Sequence, residues 1–361
     1  MTALPTRKLE AWRYTDLRPL AEMSFADAAP FTGRVEFPEI NAPTMVLLNG
    51  LVSSTTIPVG GIVETSDGDL PLELINAASA QAGLNVEIAA GIDAGTYLLV
   101  SQSAADTAFA AHPYHVLSLA ERAVLTLIEV VKGQGKYWQN EVMHVRLARG
   151  ARLTHIRVQD ESLEAFSSCT VRCALEENAT YEHFSATLGA KLSRTEIHVA
   201  LNGTGATAHL GGAQLLRGAQ HGDFTFVLRH AAPGCQSRQL VRSVLDDNAR
   251  GVFQGRIEVA KAAQKTDGYQ MSRALLLSPH AEMDIKPELE IFADDVKCSH
   301  GATIGALDGE QLFYLRSRGI EEEQARAILV RAFLEEALEP VRHERAREIL
   351  EVAIEGWWQG K

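Results

Sequence analysis

Cys298 and His300 stand two positions apart in LEIFADDVKCSHGATIGALDGEQLFYLRSRGI, residues 289–320, where alternating strand-like residues give way to a helix. Residues two apart on a strand project to one side, so Asp294, Val296, Cys298 and His300 share a face. A thiolate and an imidazole are common ligands of iron and zinc, yet one of each leaves a tetrahedral ion two ligands short. The remaining cysteines, Cys169, Cys173 and Cys235, lie well upstream. A metal held by Cys298 and His300 would therefore borrow ligands from another chain. The plain alternative makes Cys298 a small packed residue and His300 a hydrogen-bonding side chain beside the helix.

The other chemistry-bearing spacings point elsewhere. In CTVRC the two thiols, Cys169 and Cys173, fall on one strand face and are expected in the core. His112 and His115 of HPYH have odd spacing, which turns the two rings apart on a strand, so the segment is expected to be a turn. NGTGATAHLGG has close glycines without the G-x-G-x-x-G pattern and is expected to be a turn of a repeat. No G-x-x-x-x-G-K-[ST] and no G-x-S-x-G occurs. Asp246–Asp247 and Asp294–Asp295 are adjacent pairs that strand alternation would point apart. That is the wrong arrangement for a hydrolase or lyase acting on polysaccharide, which sets two carboxyl groups across one bond.

The elements that must position Cys298 and His300 are visible as a repeat. Short β-rich runs break at a polar or Gly-containing turn and resume at a small residue: Ala151, Ala179, Ala206, Cys235 and Ala249, at steps of 28, 27, 29 and 14. Intermediate turns near Ala165, Ser193 and Ala219 halve the longer steps, giving a period near 14. Strands at that period without intervening helices cannot form βαβ crossovers, but they can form a parallel β-solenoid with two strands per coil of about 28 residues. The small residues would then occupy the coil corners. An antiparallel sandwich of ten to twelve strands is the alternative.

Around this core, residues 6–23 suit an amphipathic helix presenting Leu9, Trp12 and Leu20. TMVLLNG predicts a strand ending in a tight turn, LELINAASAQAG a helix and GTYLLVSQ a strand. After Ala306 the pattern becomes helical. Asp308 can cap a helix closed by Gly319, and a second helix carries a stripe of Ala325, Ile328, Leu329, Ala332, Phe333 and Ala337. Beyond Pro340 a third presents Ile349, Leu350, Ala353 and Ile354. The expected organisation is a mixed α/β region over 1–105, a mainly β solenoid over 106–305, and a helical domain over 306–361 that caps its open edge. Apolar residues beyond what capping needs, namely Phe333, Leu334, Leu338, Trp357 and Trp358, mark the helical tail as a surface for a protein partner.

A net charge of −12 leaves no basic excess for nucleic acid. The opening residues are charged where a signal peptide needs an apolar run, and no apolar stretch is long enough to span a bilayer, so a cytoplasmic chain with reduced thiols is expected.

PTRKLEAWRYTDL at the start, the long segment 289–320 and the helical close together resemble the SufB/SufD family, over nearly the whole chain. PTRKLEAWRYT is similar to the side of that family that partners SufB. Ile291 stands where SufB itself would carry a strand cysteine, in keeping with that side. The resemblance implies a right-handed parallel β-helix and a non-enzymatic role in building iron–sulfur clusters. It implies a heterodimer with SufB through the β-helix, with a homodimer left open for the isolated chain, and docking of the ATPase SufC on the C-terminal helices. Cys298, Ser299 and His300 match the family's Cys-Ser-His, whose histidine faces a SufB cysteine. Iron or a nascent cluster would be held transiently at that interface, with no cofactor kept by the chain alone.

Overall fold

The computed structural model describes residues 4–27, 29–38, 40–58 and 68–360. Half the chain is strand, wound into a parallel β-solenoid of about eight turns. Alternate strands join opposite sheets. One sheet runs from Val296–Ala306 through Thr266–Leu276, Gln236–Leu245, Thr207–Leu216 and earlier strands to Thr44–Leu48; the other runs from Glu282–Ile291 through Arg250–Val259 and His221–His230 back to Gln81–Ile88. Phe166 pairs with Trp138 and with Leu192, which lie 28 and 26 positions away, so one coil is two strands long, as the repeat requires. Among the described residues the single antiparallel pairing between strands is the hairpin of Thr44–Leu48 with Leu51–Thr55, turned by Asn49 and Gly50 at positive φ. This excludes the sandwich.

Each small residue of the repeat occupies a corner. Ala123, Ala151, Ala179, Ala206 and Cys235 are all fully buried. Their carbonyls accept from the next coil, Arg152 N to Ala123 O at 2.9 Å and so on to Asp267 N on Cys235 O at 3.0 Å. The residue before each corner, namely Arg122, Gly150, Asn178, Gly205 or Gly234, has φ between 56° and 72°. Gly and Asn tolerate that left-handed turn best, and the tight bend after it leaves room for a methyl or a thiol. Cys235 is thus an alanine substitute in this column.

Between the sheets, one half of the lumen is apolar: Leu125, Leu153, Tyr181, Val171, Cys173 and Val199 stack coil on coil, with Cys169 beside them. Burial pushes both the Cys169 and Cys173 thiols well up. The other half is ionic, which the sequence analysis did not anticipate. Arg157 Nε lies 3.3 Å from Glu129 Oε1 and its Nη2 3.2 Å from Glu141 Oε2. His155 Nε2 donates to Glu129 at 3.1 Å, and His115 Nε2 stands 3.4 Å from Glu141. All five side chains are sealed from solvent. His115 lies within the strand Pro113–Leu119 and accepts Leu84 N–H on Nδ1 at 2.8 Å, so HPYH is not a turn; the strand begins at its proline.

The two carboxylates share one guanidinium. Burial, then the Glu129 charge, raises Glu141 to about 6; burial alone would raise Glu129 too, but Arg157 and His155 outweigh it and bring it down to about 2. A carboxyl whose folded value is raised stabilises the fold below its unfolded value near 4.5, and that contribution is lost as pH rises through 6. Glu141→Gln should therefore abolish a fall in unfolding free energy of roughly 2 kcal/mol between about pH 4.5 and 6. Urea titrations of both proteins across that window check it. Glu129 acts with the opposite sign, losing its contribution as pH falls from 4.5 toward 2.

The N-terminal segment does not form one amphipathic helix. It makes a single turn at Glu10–Trp12 and a short helix at Arg18–Ala21, because it crosses the outside of the second sheet in extended form. Trp12 is buried with the Arg194 guanidinium 4.0 Å from its ring centroid, and Thr15 bonds His221 and Asp223. Gln254 Nε2 donates to Ala11 O at 3.1 Å, and Lys286 pairs with Glu10 at 2.5 Å. Leu9 faces solvent.

The C-terminal helices lie against the flank of the first sheet and leave the solenoid's end uncapped. Val330, Leu334, Ala337 and Leu338 of the helix Glu322–Leu338, with Ala346, Leu350 and Trp357 of Glu344–Gln359, pack on Ile128, Val130, Ile156, Val158, Phe184 and Leu215. The buried stripe of Glu322–Leu338 is therefore rotated from the expected one: Ile328 and Ala332 are exposed, because the sheet meets the helix along the Val330–Leu334–Ala337 line. Burying each large side chain contributes about 1.5–3 kcal/mol. Asp308 caps the first helix, Gly309–Ser317, through Glu310 N and Gln311 N, and Gly319 follows it at φ 87°. That helix buries no residue of its own. Among the described residues no helix is long and apolar enough to cross a membrane.

Candidate functional site

The last coil is unlike the others. Neither of its strands, Glu282–Ile291 or Val296–Ala306, contains a buried residue, and each ends its sheet with a neighbour on one side only. The face that interior coils turn into the lumen here opens outward. Met283, Ile285 and Leu289 of one strand and Val296, Cys298, His300 and Ile304 of the other form this mouth. Pro287, which has no N–H to give, sits in the terminal strand where an edge tolerates it.

Cys298 and His300 lie on this face as their parity predicts. Register places Cys298 over Gly268 and His300 over Gln270 of the preceding coil. A side chain at residue 268 would bring its Cβ within 3.3 Å of Cys298 Sγ, so glycine leaves the thiol its room. Cys298 is half-buried, packed near Ile257, Leu289 and Val296, whereas His300 is exposed. Burial raises the Cys298 thiol, with a smaller upward push from Asp267, so it is protonated at neutral pH and would release a proton on binding iron.

Among the described residues no group of three or more His, Cys, Asp or Glu side chains could hold a metal ion. Cys169 and Cys173 are in the lumen, Cys235 at a corner, and none approaches the mouth. Asp294–Asp295 lies in the turn before Val296, and Asp247 in the turn after Leu245. What the last coil offers is a thiol and an imidazole on an apolar, unpaired end.

The five tail residues expected to meet a partner are divided by the fold. Leu334, Leu338 and Trp357 are buried against the sheet of this same chain, and Phe333 and Trp358 are half-buried beside them. The apolar residues that remain exposed are Phe313, at 74%, and Tyr314, at 57%, on the first helix, with Ile328 and Val352 on the other two. A helix is assigned its exposed face by what it packs on, which the count of apolar residues could not reveal.

A parallel solenoid with one uncapped end, an incomplete ligand pair on that end and a helical flank has the form of a scaffold in a protein complex. The chain belongs to the SufBD family: the model described as SUF system FeS cluster assembly, SufBD core domain, matches residues 100–333. Within that family it is similar to the iron–sulfur cluster assembly protein SufD of Escherichia coli, 33% identical over 96% of this chain and 88% of that protein. A SufBD family iron–sulfur cluster assembly protein of Synechocystis is 29% identical over 94% of this chain and 84% of its own length. The chloroplastic protein ABCI7 of Arabidopsis thaliana is 36% identical over 60% of this chain and 46% of its own. These likenesses place the chain in iron–sulfur cluster assembly, as part of a protein complex.

Proposed function

We propose that this chain is the non-enzymatic, SufD-type subunit of a cytoplasmic assembly complex, pairing with SufB through its last coil. The observation that carries this reading is the uncapped terminal coil, whose outward-facing Met283, Ile285, Leu289, Val296 and Ile304 are left without full cover by the described residues. Two free strand edges flank that face, and a partner solenoid could extend both sheets while closing over it. His300, with Cys298, then contributes part of the coordination for iron or a nascent cluster, which is the cargo of the complex, and SufB supplies the rest.

SufC docks on the helical flank. The exposed Phe313, Tyr314, Ile328 and Val352 form its footprint, bordered by the half-buried Phe333 and Trp358. Leu334, Leu338 and Trp357 hold the helices to the sheet and so act on docking from beneath. When two SufC subunits close on ATP, the helical tails move and the interface between the solenoids opens to admit iron.

Expression of the tagged chain at native level should co-purify a second β-helix protein and an ATPase. Ile304→Asp, a charge in the middle of the terminal face, should remove the β-helix partner and keep the ATPase, with at least about a tenfold loss in partner affinity. Recovery of the chain alone, or only as a homodimer, overturns the pairing. Retention of the partner by Ile304→Asp moves the interface elsewhere.

A further inference from the structure

Beneath the helix Glu322–Leu338 the first sheet presents two arginines in direct register, Arg242 on Gln236–Leu245 and Arg273 on the neighbouring Thr266–Leu276. Both point outward, sharing parity with Val244 and Leu275, which face the helices. Like charges directly opposite on adjacent strands repel. Here one carboxylate lies between them: Glu336 Oε2 is 2.6 Å from Arg242 Nη2 and 3.1 Å from Arg273 Nη1.

The setting makes this contact all-or-none. Arg242 is sealed beneath the helix, 2% exposed, with its guanidinium 5.7 Å from the Phe333 ring centroid and Nη1 donating to Val241 O at 3.3 Å. Among the described residues Glu336 is the carboxylate paired with it. A small shift of the helix that breaks the pair before water reaches Arg242 leaves a buried guanidinium without its counter-charge beside a second cation, so positions between seated and fully lifted are disfavoured. The Arg242 and Arg273 charges hold the Glu336 carboxyl below the usual carboxylate range, in keeping with that geometry.

The clasp also reaches the terminal coil. Arg273 pairs in register with Thr303, three residues beyond His300 on the same strand. That strand ends at Ala306 and passes through Leu307 into the Asp308 cap of the first tail helix. The tail is thus joined to the Cys298–His300 strand once through the chain and once through Glu336.

We propose that Glu336 is a positioning residue for the mouth of the solenoid: by clasping Arg242 and Arg273 it fixes two adjacent coils to the helical tail. Displacement of the tail is thereby transmitted to the strand carrying Cys298 and His300. This rests on the reading that the terminal coil is the assembly site, but its first test does not.

In the full-length isolated chain, Glu336→Gln should speed amide hydrogen exchange in residues 296–306 and in the helix 322–338 by roughly tenfold. Coils before residue 216 should be unchanged, and Glu336→Asp should restore much of the protection. In the complex, Glu336→Gln should retain both partners and the ATPase rate while slowing cluster formation several-fold. The double variant Arg242→Met/Glu336→Leu, which fills the same space with apolar side chains and leaves no buried charge, should stay folded and show the same uncoupling. Faster exchange in the helix with 296–306 unchanged overturns the proposal, as does normal cluster formation by the double variant. A wild-type chain that binds no partner would refute the assembly reading and leave the exchange result standing.

Discussion

Replacing His300 by alanine should leave the isolated chain as stable as the parent, within about 0.5 kcal/mol, because the residue is exposed. The same substitution in the intact complex should lower the rate of cluster formation by tenfold or more. The lower bound follows from outer-shell partners of metal ligands, whose loss already costs 10–100-fold; a ligand itself should cost at least as much. The separation of the two readouts is the point: a structural histidine would move stability, and a ligand moves maturation alone. Cluster formation at the parental rate by a complex carrying His300→Ala would remove His300 from the site. Cys298 should behave less cleanly, since its half-buried thiol also fills the space that Gly268 leaves open.

Arg157→Ala should be among the most damaging single substitutions in the chain, costing about 3–5 kcal/mol in chemical denaturation, a large part of the 5–15 kcal/mol that an ordinary domain has in total. Arg157 sits in the lumen between Glu129 and Glu141, and both carboxylates are closed off from water. Removal of the guanidinium leaves two like charges facing each other in a low-dielectric interior, with His155, His115 and the Gln139 amide beside them but no fixed positive charge between them. One carboxyl must then take up a proton, so the loss should be smaller at pH 5 than at pH 8. Simultaneous Glu129→Gln and Glu141→Gln substitutions should recover much of the stability, because it is the unmatched charge and not the missing arginine that destabilises. A cost under about 1 kcal/mol for Arg157→Ala would show that solvent reaches the lumen.

Much of the architecture was legible because a solenoid is a one-dimensional repeat. The steps of 28 and 27 residues between Ala151, Ala179 and Ala206 report a corner that only a small side chain fits, and that constraint is local. The site was legible for a similar reason: parity on a strand depends on nothing but the count of residues between Cys298 and His300. The ionic half of the lumen was not read from the sequence. Glu129, Glu141, His155 and Arg157 share strand parity with the lumen residues Leu127, Met143 and Leu153, but they stand among other polar residues and nothing local said that they would be buried or would meet.

Where the expectations failed, the deciding contact was distant in sequence. The N-terminal segment has the apolar spacing of a helix, yet Arg194, His221 and Gln254, some two hundred residues away, hold it extended across the second sheet. The tail helices have the composition of a cap, yet they lie on the flank of the first sheet, where Val330, Leu334 and Leu350 pack with Ile128, Val130, Ile156 and Val158.

The sequence by itself determined the coil length, the corners, the side of the strand on which the thiol and imidazole emerge, and the fact that together they are too few to hold a metal. The tertiary structure alone decided which residues of the tail are consumed internally, which coil is left open, and that Glu336 spans two arginines. Periodicity is set by short-range sterics and alternation, which any stretch of chain carries within itself, whereas exposure is a property of a surface and exists only once every other element has taken its place.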